Sequence, residues 1–466
     1  MPPKPNNKEV QVNNPARDVA NFPNITQSET TLAHFKDFIL YGFNDINNTN
    51  SLSGFSFSSD SGKHWKESGT IPVNPGGVNE GDPVIAVDKK GIFYYGQLGG
   101  EVINGVFQGV ISVSTGTINP NKTITMHPPQ VVGRGQNPSA TIGTQDKEWI
   151  TVGPDRIRPG KEALYVVWTD FTTTGGNSNI RFSKYTTGVN LQDLITDRDI
   201  IIPPNANTFV RGANLVVDKQ GNIYVFYEEI TNFLQLGQPN RTIRMRKSTD
   251  GGNTFPLNTD VVVSTTSFAP AANNVVQCGV DGAGNPILRP VISVGTQNIR
   301  NNEFPQASIG PNGTIYVVWN AGTIINGPIN IFLTFSENQG ATWSPPVNIT
   351  LGLPFAFFPS VATNANGAHI QYNRFNDPAG VGGVGNRTFG IFMKTFSVSK
   401  GLSLESVVSN PSSPVVTLTC YMGDYNQIIT GPGHSLLHAW GDNRNTLNGQ
   451  INPDVFFRKT DSKKKP

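Results

Sequence analysis

Apolar positions alternate with small or polar ones in seven segments of the chain, at residues 27–45, 80–96, 146–170, 211–229, 304–320, 357–374 and 423–444. Each has the form strand, tight turn, strand. In RGANLVVDKQGNIYVFYEE the two runs flank Asp218-Lys219-Gln220-Gly221, and in FPQASIGPNGTIYVVWN they flank Pro311-Asn312-Gly313. A period of two marks strands with one buried face, and Asn or Asp followed by Gly between such runs marks a hairpin. Successive segments begin roughly 50 to 95 residues apart, the scale of one four-stranded antiparallel sheet with its loops. No helical period is sustained anywhere, so helix should be scarce.

Third strands are expected after these pairs at residues 109–114, 179–183, 389–395 and 454–459, and fourth strands at 260–264 and 346–350. Three further alternating runs end in one recurring turn. Ser58-Ser59-Asp60-Ser61-Gly62-Lys63-His64-Trp65 returns as Ser248-Thr249-Asp250-Gly251-Gly252-Asn253-Thr254-Phe255 and as Ser336-Glu337-Asn338-Gln339-Gly340-Ala341-Thr342-Trp343. Asp or Asn bonds its own turn, Gly supplies a positive φ, and the closing aromatic (Trp65, Phe255, Trp343) is a plug of apolar area. This S-x-D-x-G-x-x-W/F pattern resembles the Asp-box, or BNR repeat, of sialidases and related β-propellers. The resemblance implies a structural turn between the third and fourth strands of a blade, with no catalytic part.

Together these signals predict an all-β fold, one domain over residues 1–466. It is a seven-bladed β-propeller of four-stranded antiparallel blades, with six blades as the alternative if residues 146–170 are misread. The seventh segment runs out before its fourth strand. Residues 8–12, Lys8-Glu9-Val10-Gln11-Val12, alternate like a fourth strand and are expected to close the ring there, which removes two exposed sheet edges. Residues 265–300 are expected to elaborate the fourth blade, 375–386, with five glycines, to form a loop, and 461–466 a solvated tail.

The composition agrees with a turn-rich β protein: 49 Gly, 34 Pro and only 15% charged residues. A net charge of +2 without a basic block gives no footprint for nucleic acid. No apolar run is long enough for a membrane-spanning helix. The N-terminus lacks the apolar stretch of a signal peptide, so the compartment is undetermined, with an extracellular or cell-surface location open if the chain has been trimmed. Two cysteines, Cys278 and Cys420, make no framework, and two buried thiols are the favoured expectation. The six histidines show no metal-ligand spacing.

If the first strand of each segment runs beside a central channel, its start and the end of the second strand share one rim, opposite the recurring turns. That rim collects Glu29, Asp82, Asp146, Arg211, Gln306, Asp424 and Tyr425 from strand starts, and Glu228, Arg374, Asp442 and Arg444 from strand ends. The expected ligand is a carbohydrate or other polar molecule, with a protein partner also open. The resemblance to sialidases implies an arginine triad for an acidic sugar, with Arg211, Arg374 and Arg444 as its candidates. It also implies a Tyr nucleophile paired to a Glu, with Tyr425 or Tyr227 and Glu228 or Glu229 as candidates for those places, and Asp82 as acid/base. A Tyr needs such a base because its ordinary pKa is about 10. The Arg-Ile-Pro motif of sialidases has no counterpart before the second segment, so whether the chain is an enzyme, an exo-glycosidase of acidic sugars, stays open. No cofactor is required. Ca²⁺ on the oxygens of Glu29, Asp82, Asp146 and Asp424 is the one candidate ion.

Overall fold

The computed structural model describes residues 8–47, 50–141, 143–173, 177–231, 240–272, 274–280, 284–294, 297–324, 327–376, 388–409, 413–417 and 420–461. Most of the expected 375–386 loop and the last five residues lie outside them. Among the described residues helix is confined to three short 3-10 turns, Pro15–Ala20, Leu257–Thr259 and Pro432–His434. The rest of the regular structure is antiparallel sheet.

Seven sheets have four or more strands, and each begins with one of the predicted segments. Their first strands are Gln27–Phe35, Val78–Val87, Gln145–Pro154, Thr208–Val217, Gln306–Ile309, Ala356–Asn364 and Gln427–Thr430. The split segment at 146–170 builds a sheet of its own, in which Gln145–Pro154 pairs with Glu162–Asp170. The seventh sheet takes its fourth strand from the other end of the chain: Val10 pairs with Phe457 and Gln11 with Phe456, and the Val12 amide donates to the Val455 carbonyl. An eighth sheet of three strands, Asn274–Val280, Pro286–Val294 and Gln297–Arg300, is inserted between the fourth and fifth.

Each large sheet packs face to face on the next. Phe57 and Leu40 of the first meet Phe93 and Tyr95 of the second, and Phe226 of the fourth meets Trp319 of the fifth. Leu437 and Phe457 of the seventh meet Tyr41 and Phe43 of the first. Large second-strand aromatics, Trp168, Trp319 and Trp440, are fully buried in these layers. Each removes about 150–250 Å² from water, worth roughly 4–6 kcal/mol at 25 cal/mol/Å². Sheet-on-sheet burial therefore dominates the energetics.

A second, polar device joins first strand to first strand. Thr31 Oγ1 accepts from the Ile85 amide, Asn214 Oδ1 from Ala307, Ser360 Oγ from Ile428 and Gln427 Oε1 from Leu32. In each case a side chain of one sheet satisfies an edge amide of the following sheet, and the last pair returns to the first. Buried amides without such a partner would each cost about 1–3 kcal/mol.

The three recurring turns share one hydrogen-bond pattern. Ser58 Oγ donates to Asp60 and accepts from the Gly62 amide; Ser248 does the same with Asp250 and Gly252, and Ser336 with Asn338 and Gly340. The plug aromatics reach across to the preceding sheet: Trp65 lies 5.0 Å from Phe457, Phe255 5.1 Å from Phe182, and Trp343 5.9 Å from Phe226. The glycines are required, since Gly62 has φ +85° and a Cβ there would stand 2.2 Å from the Phe457 ring. The turns are fasteners between sheets.

One expectation is corrected. Cys278 and Cys420 form a disulfide, with Cα atoms 5.4 Å apart across 142 residues of sequence. Sequence distance concealed their proximity, because the inserted sheet folds back onto the segment before the seventh sheet.

Candidate functional site

The first strands do not begin regularly. Register shifts fall between Ser28 and Thr31, Gly81 and Val84, Asp146 and Trp149, Arg211 and Asn214, and Phe357 and Ser360. Inside each shift one residue has positive φ: Glu29 (52°), Asp82 (54°), Lys147 (53°), Gly212 (67°) and Phe358 (50°). A bulge inserts a residue and re-aims its side chain, and positive φ in a non-glycine costs of order 1–3 kcal/mol. Four sheets carry that strain at the same position. Gly212 alone is glycine, and a Cβ there would meet the Phe304 ring at 2.1 Å.

The bulges bring acids together. Neither oxygen of buried Glu29 receives a hydrogen bond from an N–H or O–H among the described residues, and the Asp82 carboxyl is its neighbouring acid. Burial, then the Asp82 charge, push the Glu29 carboxyl well above the ordinary range. Burial and Asp82 likewise raise Asp146 to about 6, and they raise buried Glu148, whose oxygens also lack donors. Asp82 itself is held from behind, its amide donating to Asn44 Oδ1 at 2.7 Å.

Lys147 stands among these groups, 3.5 Å from Asp82 and 4.0 Å from Asp424. Burial would lower its pKa, but Glu29, Asp82, Asp424 and Asp146 outweigh burial and raise it. The ammonium also sits 4.0 Å from the centre of the Tyr425 ring and 5.3 Å from that of Phe304. At Asp424 burial is outweighed in the same manner: Arg300 and Lys147 hold it below the ordinary carboxylate range. Arg300 comes from the inserted sheet, donates to both Asp424 oxygens and lies 5.2 Å from the Tyr421 ring.

The expected residues thus divide. Glu29, Asp82, Asp146, Asp424 and Tyr425 converge. The Tyr425 hydroxyl donates to the Pro83 carbonyl, and burial followed by Glu29 and Asp82 push its pKa well up. Glu228 is locked between Arg211 and Arg241, with Glu303 bonded to the same two guanidiniums. Burial pushes Glu228 up, but Arg211 and Arg241 outweigh it and keep it low, while burial leaves Glu303 at about 7. Arg211 borders the cluster, 5.3 Å from the Phe304 ring. Arg374 bonds Glu405, and Arg444 bonds Glu9 and Asp442. Gln306 lines a cavity of about 30 Å³ with Lys147, Glu148, Phe358 and Tyr425, room for about two waters.

Lys147, Glu148, Arg300 and Tyr421 were not singled out from the sequence. A signal existed for Lys147, because aligning Ser28-Glu29-Thr30, Gly81-Asp82-Pro83 and Asp146-Lys147-Glu148 puts it level with Glu29 and Asp82. As to the proposed Ca²⁺ ligands, Lys147 occupies their midst, and among the described residues no group of three or more His, Cys, Asp or Glu is placed to hold a metal ion. No helix of the described residues is long and apolar enough to cross a membrane.

No protein-family profile matches the chain, and neither does any curated protein sequence. Among solved structures it is similar to the α-L-arabinofuranosidase Arb93A from Fusarium graminearum in complex with an iminosugar inhibitor (12% identity, 96% of each chain, TM-score 0.48). It is also similar to a polysaccharide lyase of family PL25, an ulvan lyase (9%, 96% and 95%, 0.49). A third is the intramolecular trans-sialidase from Ruminococcus gnavus in complex with oseltamivir carboxylate (11%, 94% of each chain, 0.40).

Proposed function

We propose that the chain is a seven-bladed β-propeller, closed by residues 8–12 and fastened by Asp-box turns, that takes a carbohydrate or comparably polar ligand at the channel mouth. Glu29 and Asp82 give that mouth the capacity for acid/base cleavage of a glycosidic bond. The carrying observation is the Glu29–Asp82 pair: two carboxyl groups on neighbouring bulges, one buried without a donor and one partly open. Glu29, pushed upward by burial and by the Asp82 charge, is the member suited to hold a proton for donation. Phe304, only half-buried, adds a ring face on which a sugar can stack. The first-strand bulges support the reading because strain of this kind persists where the surrounding structure imposes it, and such sites are often functional.

A second reading, a binding propeller without turnover, is favoured by Lys147, whose ammonium fills the centre of the cluster. One experiment separates them. The protein is applied to a glycan array and to a panel of neutral and acidic aryl glycosides, alongside Glu29→Gln and Asp82→Asn. Hydrolysis lost in Glu29→Gln with binding retained assigns the enzyme. Saturable binding without turnover, weakened in Asp82→Asn, assigns the binding module. Absence of any saturable binding sinks both.

A further inference from the structure

The inserted sheet has two unlike faces. Val291 pairs with Arg300 across one strand pair and Asn274 across the other, and Val276 pairs with Arg289. Directly paired residues share a face, as do residues two apart on a strand. Arg289, Val291 and Arg300 therefore lie on one face with Val276 and Cys278. Val291 is fully buried against Cys278 and Cys420, so this face is turned toward the segment that carries Tyr421 and Asp424. The other face holds Val275 and Leu288, 63% and 59% exposed.

Two arginines thus overhang the mouth, and they are used differently. Arg300 is spent on Asp424. Arg289 is solvent-accessible and forms no hydrogen bond or ion pair among the described residues. It is near enough to Arg300, Asp146, Asp424 and Arg211 to feel their charges, and burial followed by the Arg300 charge depress its pKa. The insert is pinned in this pose by the disulfide and by the Arg300 amide, which donates to the Cys420 carbonyl at 2.8 Å. An unpaired guanidinium fork on a fixed sheet, beside a second guanidinium, is a receptor for a planar or tetrahedral oxyanion.

We infer that Arg289 is the anion-binding residue of the mouth and that the ligand taken there carries a carboxylate or sulfate group. This rests on the channel-mouth reading and goes beyond it by naming the ligand's charge and the residue that selects it. That residue belongs to the insert, and the first strands supply the rest of the site.

The test is calorimetric titration with tetragalacturonate, its carboxyl-reduced counterpart, a heparin-derived tetrasaccharide, 3′-sialyllactose and lactose, on wild type, Arg289→Ala, Arg289→Lys and Asp82→Asn. The expected result is wild-type binding of at least one acidic probe, weakened tenfold or more in Arg289→Ala and partly restored in Arg289→Lys. The neutral counterpart should be insensitive to Arg289. Binding of tetragalacturonate or 3′-sialyllactose shows that a carboxylate suffices, and binding of the heparin-derived tetrasaccharide alone shows that sulfate is required. Equal affinities of wild type and Arg289→Ala, with Asp82→Asn still weakened, overturn the role of Arg289 and leave the mouth standing. No binding of any acidic probe, with a neutral probe still bound, overturns the inference alone; equal affinities in all variants, or no binding of any probe, overturn it together with the mouth.

Discussion

Arg300 donates to both carboxylate oxygens of Asp424, through Nε at 3.0 Å and Nη2 at 2.5 Å, across 124 residues of chain. The contact ties the inserted sheet to the start of the seventh large sheet. Arg300→Ala would leave Asp424 buried with Lys147, 4.0 Å away, as its nearest cation. Loss of one partner of such a pair costs about 2–4 kcal/mol, to be read as a lower midpoint in a denaturant titration. Arg300→Lys, which keeps the charge and loses the fork, should fall between.

At the turn fasteners, Gly62→Ala combines a positive-φ strain with a Cβ 2.2 Å from Phe457. Gly313→Ala has the same φ class, +87°, with nothing within 4 Å. The first is expected to lose about 2–4 kcal/mol and the second about 1 kcal/mol. A thermal-melt comparison isolates the clash from the backbone strain.

After burial, the Asp82 charge is what pushes the Glu29 and Asp146 carboxyls upward. In Asp82→Asn both carboxyl groups should titrate at lower pH, Asp146 from about 6 toward the ordinary range, as followed by carboxyl-carbon NMR. An unchanged Asp146 titration would mean that burial alone sets it.

The N-terminal anchor has a pH signature. Burial raises Asp18 to about 6; Gln27, Asn47 and Asn452 side chains donate to it. A carboxyl whose folded pKa exceeds its unfolded value holds its proton more tightly when folded, so its contribution is full below the unfolded pKa of about 3.9 and is lost as pH rises through about 6. The loss over that window is about 1–3 kcal/mol. Asp18→Asn should flatten that part of the stability profile relative to wild type, checked by melts from pH 4 to 7.

Opening the disulfide should act locally and globally. Cys278→Ser with Cys420→Ser frees a loop of 142 residues, for which chain entropy predicts a loss of about 3–5 kcal/mol. Limited proteolysis should then cut first within residues 274–300.

Much of the architecture was legible because it is local. Alternation and Gly turns at 211–229 or 304–320 depend on a few neighbouring residues, and so does the Ser58 to Trp65 turn. Even the N-terminal strand could be placed, since the seventh sheet lacked a partner. The site was legible only in part. Glu29, Asp82, Asp146 and Asp424 stood at strand starts, but the positive-φ bulges that converge them follow no propensity: Lys and Phe are poor choices for such a backbone, and Lys147 and Phe358 adopt it under tertiary constraint. Arg374 and Arg444 looked equivalent to Arg211 in the sequence, and only the fold shows Glu405, Glu9 and Asp442 engaging them. Arg289 and Arg300 were hidden because a sheet's docking pose, here set by a distant disulfide, leaves no periodic mark.

Pairing of Val10 with Phe457 also sets an order of events during synthesis. Residues 8–12 emerge from the ribosome long before their partner strand, Gln450–Thr460, which follows more than four hundred residues later. Until that pairing forms, the Gln450–Thr460 strand presents an unpaired edge, a template for a foreign strand. Truncated translation products of this protein should consequently be the species most dependent on chaperones, and a chain shortened by its last strand should behave like them indefinitely.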